Sequence, residues 1–165
     1  MLVITILLIA YMSYLIIKKI NFETAVFFII GLLSVEIILT TRALNEIIDF
    51  IIAISASIAI LLKKDTNKNV GAIFFIVGSI TSFMDLLTEP LITLGLPLII
   101  YMLLMQKQRR AIKHDLIDFA KICFLWGMGY GLTWLMKWIL VSLIYNRDII
   151  HNALQQAKFR STGMK

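Results

Sequence analysis

The sequence has few of the residues that punctuate or cross-link a soluble chain: one cysteine, Cys123, and two prolines, Pro90 and Pro97, in 165 residues. A lone thiol excludes an internal disulfide and says nothing of redox compartment. CxxC, HExxH, P-loop and GxSxG patterns are all missing, so the sequence shows none of the common metal, phosphate or nucleophile motifs. Charge is also scarce. Asp, Glu, Lys and Arg make up 16% of the chain, against 60% hydrophobic residues and a mean hydropathy of +0.91. A soluble domain is roughly 45–50% apolar, so this chain carries more apolar surface than a core of its size can hide. The excess calls for a second apolar solvent, the bilayer.

Lipid offers the backbone no hydrogen-bond partner, so only helices or closed barrels cross it. Barrel strands alternate apolar and polar residues. Here the apolar runs are continuous, as in Leu2–Ile17 and Ile73–Ile80. The expected fold is therefore all-α, a polytopic transmembrane bundle of about six spans with short interfacial amphipathic helices, in a single membrane domain 1–165. The spans are placed at Leu2–Ile17, Ala25–Thr40, Leu44–Leu62, Val70–Leu87, Leu91–Met105 and Ile122–Tyr145. The first lacks the basic lead of a signal peptide and reads as a retained span. Gly95 and Pro97 fall in the middle of the fifth and mark it as a broken or re-entrant element. Amphipathic patterns at 111–121 and in the tail 146–160 suit helices lying on the membrane surface.

The net charge of +6 does not point to nucleic acid, because the basic residues cluster between apolar runs. Lys18 and Lys19, then Lys63, Lys64 and Lys68, then Lys107, Arg109, Arg110 and Lys113 occupy alternate loops. The intervening loops hold only Arg42. The positive-inside rule puts the basic loops in the cytoplasm and both chain ends outside a bacterial cell membrane, against the basic residues of the tail.

That topology gathers Arg42, Asp85, Glu89 and Lys137 towards the outer face. Ionisable groups at membrane depth usually pair or line a wet cavity. One reading is a polar pocket in which Lys137 faces Asp85 or Glu89. Lys137 and Arg42 would bind an anionic head group there, and the carboxylates would act as a base or hold a divalent metal. The plainer reading is a structural ion pair, and no cofactor is required. Glu46 and Asp49 read as solvated charges at the mouth of the third span. In the sixth span Trp126, Tyr130, Trp134 and Trp138 recur every four residues, a row that more often packs or forms an interfacial belt than stacks on sugar. Gly127 and Gly131 form a GxxxG, a helix-packing motif suited to homo- or hetero-oligomers. Cys123 is an apolar filler. His114 and His151 fall on opposite sides and share no metal site.

The segment Phe83-Met-Asp-Leu-Leu-Thr-Glu-Pro-Leu-Ile-Thr-Leu-Gly-Leu-Pro-Leu98, with Trp126-Gly-Met-Gly-Tyr130 and Met136-Lys-Trp138, resembles a family of large, uncharacterised multi-pass membrane proteins of low-GC Gram-positive bacteria. The resemblance covers roughly Arg42–Arg160. Members are much longer, with an extracytoplasmic aromatic-rich stretch and further spans, so it implies a short or truncated relative. Their layout is similar to that of polytopic glycosyltransferases using lipid-linked sugars. The resemblance thus implies a role in envelope polysaccharide at the outer face, with a polyprenyl-phosphate-linked substrate, Asp85 and Glu89 as catalytic candidates, and Arg42, Lys137, Trp134 and Trp138 as binding candidates. A non-catalytic helper protein and a small transporter or flippase are the alternatives. On the residues alone the helper leads.

Overall fold

The computed structural model describes residues 2–34, 44–63, 69–84, 90–106 and 112–145. They form six helices and, among the described residues, no strand: α1 Leu2–Lys19, α2 Phe22–Ser34, α3 Leu44–Leu62, α4 Val70–Phe83, α5 Pro90–Gln106 and α6 Ile112–Tyr145. The chain is all-α, as expected. The tail 146–160 lies outside the described residues.

The helix ends follow from local chemistry. Lys18 and Lys19 fill the last turn of α1, where positive charge complements the helix dipole. Asn21 caps α2: its Oδ1 accepts a hydrogen bond from the Thr24 backbone N–H at 2.8 Å. Asn69 enters α4 with φ 61°, a left-handed conformation that asparagine tolerates. Pro90 opens α5, a position where its missing N–H costs nothing. Buried hydroxyls bond back into their own helices: Ser13 to the Ile9 carbonyl, Ser57 to Ala53 and Thr81 to Val77, each at 2.8 Å.

Two expectations are corrected. The fifth segment is one continuous helix of 17 residues with Pro97 inside it, not a broken element. Pro97 is buried and its neighbours Leu98 and Ile100 belong to the core, so tertiary packing holds the helix together across the missing hydrogen bond. Likewise 111–121 is not a separate surface helix: Ile112–Tyr145 runs as a single helix of 34 residues. No glycine or proline stands between His114 and Trp126 to stop it.

α3 is the central element, in contact with α1, α4 and α5. Its inward stripe of Ala53, Ile54, Ser57, Ile60 and Leu61 is fully buried. α2 packs on α1, and α6 lies along α4 in the most extensive interface of the molecule. α1 and α3 end together, since Lys19 Nζ donates to the Lys63 carbonyl at 2.9 Å. Large apolar side chains stand exposed on α1, α2, α4, α5 and α6, with Leu7 64%, Phe27 74%, Leu91 71% and Leu143 72% exposed, while α3 exposes only Leu62 of this kind among its described residues. Among the described residues one helical stretch, His114–Ile144, is long and apolar enough to cross a membrane. The apolar stretches of α2 to α5 are shorter than 18 residues.

Candidate functional site

The described part of the candidate site is built where α6 passes the end of α4. Two glycines bring the backbones together. A Cβ on Gly129 would collide with the Phe75 carbonyl, and a Cβ on Gly78 with the Trp126 carbonyl. Both obstacles are main chain, which cannot rotate away. Ser79 adds a polar link, its hydroxyl lying 3.0 Å from the Phe75 carbonyl and 3.3 Å from that of Gly129. Trp126 and Tyr130 stack at 5.4 Å beside this contact.

Two turns further along α6, Lys137 reaches back to α4. Its Nζ donates to the Ser82 carbonyl at 2.7 Å and lies 5.8 Å from the centre of the Phe83 ring. α4 ends at Phe83, so Ser82 lies in the last turn, where a carbonyl has no helical donor four residues on. Lys137 is thus a capping cation supplied by a neighbouring helix, with its charge at the negative end of the α4 dipole. Trp134 and Trp138 flank it, tilted against each other at 5.0 Å, with Trp134 46% exposed. On the other side of α4, the buried Thr81 hydroxyl lies 2.9 Å from that of Thr93 on α5, and Thr93 donates to the Pro90 carbonyl at 2.8 Å.

Arg42, Asp85 and Glu89 lie outside the described residues, as does His151, so the expected pairing of Lys137 with Asp85 or Glu89 and a metal on those carboxylates fall there too. Among the described residues no group of three or more potential metal ligands comes together. The aromatic row divides into two ring pairs, buried Trp126 with half-buried Tyr130 and exposed Trp134 with half-buried Trp138. Gly127 and Gly131 are not at the helix contact within this chain: a Cβ on either meets nothing within 4 Å.

Asp49 is corrected. It is not a solvated charge at a helix mouth but fully buried on α3. The signal for this was present, because Asp49, Ala53, Ser57 and Ile60 follow helical spacing along one face. The roles of the Ser82 carbonyl and of Gly78 left no comparable trace, since neither depends on its own local pattern.

Comparison of the chain with family models, with curated proteins and with solved structures gives no match.

Proposed function

We propose that the chain is a multi-pass protein of the bacterial cell membrane, a bundle of six crossings with both ends outside, which serves as a non-catalytic helper or interaction subunit. Apolar exposure on all six helices supports the membrane reading, because a water-soluble protein of this size rarely shows so much contiguous apolar surface. The shared end of α1 and α3, marked by Lys19 and Lys63, supports placing their basic loops on one side. Spans shorter than the hydrocarbon core are accommodated by snorkelling lysines and local thinning. α6, about 51 Å long at 1.5 Å per residue, exceeds a core of roughly 30 Å, so its charged first turns stand outside it. Single cysteines at Glu89, Gln108 and Gly163, with Cys123 replaced, test the topology. An impermeant thiol reagent on intact cells should label Glu89 and Gly163 but not Gln108. Labelling at Gln108 inverts the protein.

The helper reading rests on one observation, the engagement of Lys137 at the end of α4. A lysine that caps a helix end has a structural task, and one of its three donors is engaged there. The exposed face of α6, with Gly127 and Gly131 on it, is then available for a partner helix.

A second reading is favoured by Trp134, which is exposed one turn from Lys137. An aromatic face beside a cation suits a sugar phosphate, and the resemblance to proteins with a glycosyltransferase-like layout points the same way. Lys137→Met separates the two. The helper reading expects a lower unfolding midpoint in detergent, recovery with Lys137→Arg, and no transfer from a polyprenyl-phosphate-linked sugar by the wild type. Transfer that Lys137→Met abolishes at unchanged stability would replace it with the second reading.

A further inference from the structure

A groove of about 520 Å³ runs between α2 and α5, floored by Phe50 of α3. Among the described residues that line it, Thr24 supplies the only polar side chain. Gly31 on α2 and Gly95 on α5 stand in its walls, and a Cβ on either meets nothing within 4 Å, so the groove is open where two larger side chains would fill it. We propose that this groove holds one acyl chain of an anionic phospholipid, with its head group at the α1–α2 turn.

Three observations select that occupant, given the membrane reading above, on which the proposal rests. The first is length. The lining of α5 extends from Leu91 to Leu103, about 18 Å at 1.5 Å per residue, close to the roughly 15 Å of hydrocarbon in one leaflet. The second is chemistry. A transported polar solute or a peptide backbone would find almost nothing to bond, whereas a hydrocarbon chain needs only apolar contact. The third is charge. Thr24 lies five residues beyond the pair Lys18–Lys19, which ends α1, and the Lys19–Lys63 bond brings the end of α3 to the same place. Lys18 is exposed there. Clustered lysines beside the interface attract anionic head groups.

The test uses the full chain reconstituted into vesicles of equal phosphatidylglycerol and phosphatidylcholine, extracted in mild detergent and weighed by native mass spectrometry. The wild type should retain one lipid, phosphatidylglycerol in preference. Gly95→Phe fills the groove and should cut that retention about tenfold, as roughly two methylenes' worth of lost burial would. Gly31→Phe, from the opposite wall, should do the same, so a folding defect at one position is not decisive. Leu143→Phe, on an exposed position of α6 away from the groove, should leave retention unchanged. Lys18→Gln should reduce the preference for phosphatidylglycerol while leaving a bound chain. Undiminished retention in both groove variants overturns the proposal. So does equal retention of the two lipids by the wild type, or a lipid-free dimer that Gly95→Phe dissociates, which would make a second copy of the chain the occupant. Failure of the membrane reading shows separately, as release of the wild type from cell membranes by alkaline carbonate before any lipid is weighed.

Discussion

The α4–α6 seam and the α2–α5 groove use the same residue to opposite ends. At the seam, Gly78 and Gly129 let two backbones meet, and each missing side chain is replaced by a neighbour's carbonyl. At the groove, Gly31 and Gly95 are replaced by nothing. A glycine in an apolar helix therefore has no fixed meaning. What it does depends on whether another helix has moved into the space it leaves. Within this chain the tight seam is the structural half of the molecule, and the open groove is the half with room for a ligand.

The comparison breaks first at the seam. Gly129→Ala drives a methyl into the Phe75 carbonyl, so α4 and α6 must separate, taking with them the Ser79 contact and the Trp126 packing. Overpacking of this kind costs typically 1–3 kcal/mol, and a main-chain obstacle puts the loss at the upper end, about 3 kcal/mol. Equilibrium unfolding in mixed micelles reads it directly. A variant as stable as the wild type would mean that the seam is looser than the Gly129–Phe75 approach implies.

Where a glycine faces open space, in the groove or on the outer face of α6, the sign reverses. Gly31→Ala and Gly127→Ala each place a methyl in open space on a helix that alanine favours over glycine by about 0.8–1.0 kcal/mol. Both should raise stability by up to about 1 kcal/mol in the same micelles. If Gly127→Ala instead destabilises the protein only at concentrations where it self-associates, the GxxxG of α6 is a contact between copies. Its role as a packing motif then lies outside the single chain.

The difference in sign explains what was legible in the sequence. Long apolar runs and the basic residues between them were enough for the all-α fold and for the approximate place of each helix, since both depend on composition over many residues. The two corrected elements, unbroken α5 and continuous α6, failed because local signals were weighed without their neighbours. Pro97 looked decisive alone but is enclosed by the bundle, and the charges of 112–121 looked like a boundary but do not stop a helix. Lys137 stood out in the sequence as a charge within an apolar span, yet the Ser82 carbonyl it engages is a backbone group that no side-chain pattern announces. Gly127 and Gly131 matched a spacing rule, whereas Gly129 between them makes the contact because the Phe75 carbonyl of α4 lies opposite. A packing glycine is a property of two helices, and one sequence segment carries only half of it.

The smallest effect concerns the link between the two regions. Thr81 of α4 and Thr93 of α5 share a hydroxyl hydrogen bond in the bundle interior, and α5 forms a wall of the groove. Each hydroxyl has one hydrogen, so Thr81 donates either to Thr93 or to the Val77 carbonyl of its own turn, while Thr93 donates to the Pro90 carbonyl. Removing Thr81's hydroxyl leaves Thr93 still bonded, and removing Thr93's leaves Thr81 its intrahelical bond. Neither Thr81→Val nor Thr93→Val should therefore strand a buried donor, and each should cost no more than about 1 kcal/mol. Interhelical hydrogen bonds of this kind in membrane proteins average about 0.6 kcal/mol in double-mutant cycles, which is the coupling expected between the two substitutions. A coupling near zero would leave α4 and α5 joined by packing alone, and the seam and the groove as independent parts. A value well above about 1.7 kcal/mol, the largest measured for such bonds, would make the Thr81–Thr93 pair the point through which filling the groove is felt at the seam.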